Sequence, residues 1–174
     1  MVFPLYGEAA EQLVPGGVPG QPRPTTCNMW LNWDVAYQPG EVVAIGYKNG
    51  VQVAKAVLET VGEPDHLVIE CDNEILADGR DISHVEVTVV DAQGRRCPDA
   101  RVDLKATVEG QGRLIGFDSG ESNSHEMYKS PRTTAIGGRA LMIVQAAREA
   151  GNIHVEIEGE NLRSACADIK VVKP

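Results

Sequence analysis

Apolar residues recur at every second position through most of the second half of the chain. Val85, Val87 and Val89 alternate with Glu86 and Thr88. Ile153, Val155 and Ile157 alternate with His154, Glu156 and Glu158, and Ala165, Ala167, Ile169 and Val171 alternate with Cys166, Asp168 and Lys170. A period of two places the apolar set on one face of a pleated strand and the polar set on the other. The same reading predicts strands over 67–71, 102–108 and 114–117. Over 140–144 every position is apolar, which predicts a strand buried on both faces. Asp91-Ala92-Gln93-Gly94 and the pair Gly110 and Gly112 mark turns, and the long polar stretch 118–138 predicts a loop. About seven strands in about 110 residues, each with one polar face, is the profile of an immunoglobulin-like, antiparallel β-sandwich.

The first part of the chain is organised differently. Pro4, Pro15, Gly16, Gly17, Pro19, Gly20, Pro22 and Pro24 interrupt any period, so 1–27 is expected to be irregular, with 7–14 the one stretch suited to a short helical turn. Strands are predicted over 30–35, 42–47 and 51–58. Gln38-Pro39-Gly40 forms a corner before the second, and Asn49-Gly50 forms a two-residue hairpin turn before the third. Gly62-Glu63-Pro64 reads as a domain junction. The expected organisation is therefore an irregular segment 1–27, a partial Ig-like unit 28–61 and a complete sandwich 62–174.

Composition narrows the function. The chain has 174 residues, 43% hydrophobic and only 5% aromatic, so the core must be built from Val, Ile, Leu and Ala. The formal net charge of -9 repels nucleic-acid phosphates and anionic lipid, and no apolar run reaches the length of about 20 residues that a membrane helix needs. Neither nucleic acid nor membrane is an expected partner. Residues 1–10 lack the basic and apolar zones of a signal peptide. Cys27, Cys71, Cys97 and Cys166 show no CxxC spacing, and Cys71 and Cys166 fall on faces of different character, so all four are read as free thiols.

Candidate chemistry is sparse. Glu86, Glu156, Glu158 and Asp168 belong to outward strand faces and read as solvated surface. Ser124-His125-Glu126 are consecutive, and consecutive side chains in an extended segment point to opposite sides, which precludes a catalytic relay. The four histidines lack zinc spacing. Asp118, Glu121 and Glu126 could gather round calcium, but salt bridges to Lys129, Arg132 and Arg139 account for them as well. No catalytic residue, cofactor site or metal site is assigned. Trp33, Tyr37 and Tyr47 are expected in core or interface. Trp30 and Tyr128 are the candidates for exposed rings that contact a glycan.

The run from Trp33 to Gly50, including Tyr37-Gln38-Pro39-Gly40-Glu41-Val42-Val43-Ala44-Ile45-Gly46-Tyr47-Lys48-Asn49-Gly50, resembles the closing strands of an Ig-like domain in bacterial β-galactosidases of glycoside hydrolase family 2. The junction Thr60-Val61-Gly62-Glu63-Pro64 and the segments Ala77-Asp78-Gly79-Arg80-Asp81, Val89-Val90-Asp91-Ala92-Gln93-Gly94, Val108-Glu109-Gly110-Gln111-Gly112 and Gly137-Gly138-Arg139-Ala140-Leu141 resemble the invasin-type Ig module that follows it. The resemblance covers about 28–174 and departs from the family in residues 1–27, which do not match the earlier strands of the first Ig-like domain. It implies a non-catalytic accessory region that braces a parent catalytic domain, contributes to a homo-oligomer, or contacts carbohydrate. It implies no cofactor and a bacterial parent, whose location the sequence leaves open, with periplasmic or secreted favoured over cytoplasmic. A carbohydrate-binding module and an adhesin-like surface module are the alternatives. A three-strand remnant with an unpaired edge is expected to pack on the second domain or pair with another chain.

Overall fold

The alternating segments of the second half become nine strands in two facing sheets. The computed structural model describes residues 36–173, together with the backbone of β1 (Val2–Phe3), β2 (Ala9–Leu13) and β3 (Leu31–Asn32). The remaining strands are β4 (Glu41–Lys48), β5 (Val51–Glu59), β6 (Pro64–Glu70), β7 (Glu74–Leu76), β8 (Ile82–Asp91), β9 (Val102–Gly110), β10 (Gly112–Asp118), β11 (Arg132–Ala135), β12 (Arg139–Ala146), β13 (Gly151–Gly159) and β14 (Ala165–Val172). The described residues contain no helix. Contacts divide the chain into Met1–Thr60 and Val61–Pro174.

In the first unit β2, β4 and β5 form an antiparallel sheet with β4 in the centre, and β1 pairs with β3. Asn49 and Gly50 both have positive φ, 52° and 75°, as a two-residue hairpin with primed turn geometry requires. The stretch expected to form a helical turn is instead a strand, β2, in register with β4 from Ala9 opposite Tyr47 to Leu13 opposite Val43. A single turn has too few hydrogen bonds to offset its nucleation cost, whereas the edge of β4 supplies partners for the whole segment. Of the strand expected over 30–35, the described part is Leu31–Asn32. Trp30 and residues 33–35 lie outside the described residues, as does Cys27.

The second unit is a β-sandwich. One sheet has the order β10-β12-β8-β6 and the other β11-β9-β13-β14-β7. All neighbours are antiparallel except β14 and β7. The inner faces bring Val85, Val87, Val89, Met142 and Val144 from the first sheet against Ile153, Val155, Ile157, Ile169 and Val171 from the second. Phe117 is the one aromatic residue in this core and is fully buried. Truncating such a ring costs about 3–5 kcal/mol, so it anchors the β10 end of the core.

Two details differ from the alternation. The segment 118–138 contains β11, where Thr133 and Ala135 turn inward while Thr134 stays partly exposed. Strand β12 is buried on one face only. Ala140, Met142 and Val144 point inward, and Leu141 is 38% exposed on the outside. No second layer covers the outer face of this sheet among the described residues of the unit, so the apolar run there is a surface feature.

β11 and β12 belong to different sheets and are joined by Gly137-Gly138, with φ of 61° and 69°. Ile136 and Arg139 exchange backbone hydrogen bonds across this turn. The Gly138 N–H donates to the Ala100 carbonyl, and its own carbonyl accepts from Val89 N–H. A Cβ at position 138 would collide with the Cys97 carbonyl oxygen, so the crossing between sheets needs glycine there.

Candidate functional site

A groove lies on the outer face of the four-stranded sheet and has a volume of about 640 Å3. Its origin is local. β10 is an edge strand, and its register with β12 slips between Leu114 and Gly116. Such a bulge bends the strand and redirects its side chains. Gly116 then stands opposite Ile143 with no side chain, which leaves a hollow beside the Ile143 side chain. One row across the sheet is Asp118, Leu141 and Glu86, and Arg139 sits beside it opposite Thr88.

Tyr128 lines the same groove and is 67% exposed. Its carbonyl accepts a hydrogen bond from the Phe117 N–H at 2.6 Å, which fixes the loop against the edge of β10. The Ser130 N–H donates to the Met127 carbonyl at 2.8 Å and closes a turn just beyond it. The polar rim is little used internally. Asp118 accepts from the Gly120 N–H at 2.9 Å, while the side chains of Glu86 and Arg139 make no hydrogen bond or ion pair among the described residues. Of the two sequence candidates for glycan contact, Tyr128 thus lies exposed in a groove, and Trp30 lies outside the described residues.

The other aromatic expectations divide. Tyr47 is partly buried on β4. Tyr37, expected in core or interface, is 78% exposed. It precedes the Pro39-Gly40 corner and lies outside β4, so the strand period that would bury it does not extend to it.

The acids occupy separate places. Glu86 lies on the outer face of the four-stranded sheet, while Glu156, Glu158 and Asp168 lie on the outer face of the other. Glu158 pairs with Lys105 at 2.8 Å and Asp168 with His154 at 2.8 Å. The carboxyl groups displaced from their ordinary range among the described residues are displaced downward. The Lys105 ammonium lowers Glu158, the Thr133 and Thr134 hydroxyls lower Glu126, and the Arg163 guanidinium lowers Asp65. A general acid in glycoside hydrolysis needs a shift the other way.

The residues weighed for a relay and for calcium also have assigned places. The Glu126 N–H donates to Ser124 Oγ at 3.2 Å, and the Glu126 carboxylate accepts from Thr133 Oγ1 at 2.7 Å and from Thr134 Oγ1 at 2.8 Å. Glu121 pairs with Arg101 at 3.6 Å, a cation just before β9 and not one of the loop cations expected from sequence. No group of three or more potential metal ligands occurs among the described residues. Cys71, Cys97 and Cys166 are free thiols.

The sequence reading passed over Asp91. It is 1% exposed and accepts hydrogen bonds from the backbone N–H groups of Gly62, Gln93 and Arg95 and from the Arg95 guanidinium. The Gly62 N–H is the largest of several influences that hold its carboxyl far below the usual range. Its role is to fasten the start of the second unit to the turn after β8.

A strand-only sandwich, with a shallow outer groove and acids spread over opposite faces, defines an accessory β-module. Residues 67–168, more than half of the chain, match the family model described as glycoside hydrolase family 2 C-terminal domain 5, and residues 14–54 match a domain of unknown function. The chain belongs to the glycoside hydrolase family 2 C-terminal domain 5 family, as a non-catalytic accessory region of glycosidases whose catalytic site lies elsewhere. It is 34% identical over 167 residues to the β-galactosidase BoGH2A of Bacteroides ovatus, covering 94% of this chain and 20% of that protein. It is 37% identical over 95 residues to a β-glucuronidase of Formosa agariphila, covering 52% of this chain and 10% of that protein. A solved structure of a glycosyl hydrolase family 2 member from Bacteroides cellulosilyticus matches with a TM-score of 0.90 at 26% identity, covering 96% of this chain and 22% of that one. The chain therefore spans about a fifth or less of the length of these relatives.

Proposed function

We propose that this region serves a β-galactosidase, a protein that hydrolyses terminal β-galactosides without an organic cofactor. The observation that carries this reading is the match of 94% of the chain to the β-galactosidase of Bacteroides ovatus. The physical character of the sandwich suits a supporting role. Its core is closed by apolar packing, and its acids are engaged in ion pairs and caps or spread over two opposite faces. In this reading residues 28–61 close the preceding Ig-like domain, and 62–174 form the last module, which braces the catalytic domain and contributes to a homo-oligomer.

The complete reading frame that contains this chain, expressed and assayed on p-nitrophenyl β-galactoside and p-nitrophenyl β-glucuronide, tests the proposal. Hydrolysis of the galactoside is the expected result. A protein that cleaves only the glucuronide, or neither, contradicts it.

A further inference from the structure

We propose that the groove on the outer face of the β10-β12-β8 sheet binds a neutral oligosaccharide, with Tyr128 as the stacking ring and Arg139, Glu86 and Asp118 as the hydrogen-bonding rim. The inference rests on the glycosidase reading above for its choice of sugars, and on the groove itself for its location.

Three observations converge. Tyr128 is 67% exposed at the edge of a hollow, held there by its backbone bond to Phe117 and not by packing of its ring. A sugar ring has a C–H face, and an exposed aromatic face is a natural platform for it. The hollow of about 640 Å3 falls within the range of about 300–1,000 Å3 typical of small-ligand sites, and its floor is the apolar surface of Leu141 and Ile143.

The rim supplies the third observation. A guanidinium with free donors and a carboxylate with free acceptors face one groove, and neither uses the other. Adjacent sugar hydroxyls both donate and accept, so they satisfy such a mixed set. The rim carries two carboxylates and one guanidinium, a net negative charge. The same imbalance, on a chain of net charge -9, repels uronate and sulfated glycans. Among glycans the groove therefore favours an uncharged one.

Gly116 provides a clean test. Its φ lies outside the left-handed region, and a Cβ there would meet only the Ile143 side chain at 3.8–3.9 Å, an ordinary contact. Gly116→Val puts a branched side chain into the hollow from a backbone conformation open to other residues. The 174-residue chain, labelled with 15N, is titrated with β-1,4-galactotriose, cellotriose and a trigalacturonate. The expected result is saturable shifts of Gly116, Gly120 and Leu141 amides with a neutral trisaccharide and none with the uronate. Tyr128→Ala and Gly116→Val, each with an unchanged melting temperature, are expected to weaken binding at least tenfold. Saturation by cellotriose alone, with the same dependence on Tyr128 and Gly116, supports the groove while counting against the galactoside reading. No shift with either neutral sugar at 20 mM, shifts located elsewhere, or full affinity in both variants would overturn the proposal. So would protection of Tyr128 by another part of the full-length protein, which would make the groove a protein interface.

Discussion

At the residue scale, Asp91 separates what periodicity reveals from what it hides. A lone acid at the end of an apolar strand reads as the first residue of a polar turn. Its burial is compensated by four hydrogen bonds and an ion pair from two segments, the turn at Gln93 and Arg95 and, 29 residues upstream, Gly62. The folded-state pKa is depressed, so the stabilisation is complete above the ordinary value of 3.8 and is lost as the pH falls towards the folded value. Asp91→Asn is expected to melt well below the native chain at pH 7, with the gap narrowing between pH 4 and pH 2 as the native carboxylate loses its advantage. Melting curves at pH 7, 5, 3 and 2 check this, and a gap of constant size would contradict it. Tyr128 was legible because the polar run around it offers no apolar partners. Tyr37 is exposed because it precedes the Pro39-Gly40 corner, and β4 starts only at Glu41.

At the element scale, the strands with four or more alternating positions were all legible, as was the Asn49-Gly50 hairpin. Elements defined by partners distant in sequence were not. β2 is composed of residues at ease in a helix and is a strand because β4 offers it an edge. β11 is only four residues long, too short for a period, and is specified by its pairing with β9. The bulge of β10 and the hollow at Gly116 leave no trace in hydropathy at all, so the groove could not be located from sequence. The Gly137-Gly138 crossing yields an ordered comparison. Position 137 has open space apart from a contact at 3.6 Å to the Pro98 carbonyl, whereas position 138 is closed by the Cys97 carbonyl. Gly137→Ala is expected to cost about 1 kcal/mol for its left-handed backbone, and Gly138→Ala about 2–3 kcal/mol or more. Urea unfolding of the two variants measures the order, and equal costs would show that the collision is relieved without strain.

At the scale of the whole molecule, a core poor in aromatics still closes because two sheets present Val, Ile, Leu and Met at matched inner positions. Among the described residues of the second unit, the outer faces are left to water, ion pairs and shallow hollows. Sequence alternation made this architecture legible, and family resemblance made its context legible. Where a ligand would sit depended on the bulge, on Gly116 and on the loop that carries Tyr128. The chain is a non-catalytic accessory region, and the catalytic site of its family lies elsewhere. The most direct test is the release of p-nitrophenol from p-nitrophenyl β-galactoside by the purified, folded 174-residue chain. The account predicts a rate equal to that of buffer at every chain concentration. Turnover that rises in proportion to the chain, and that persists through further purification, would contradict it.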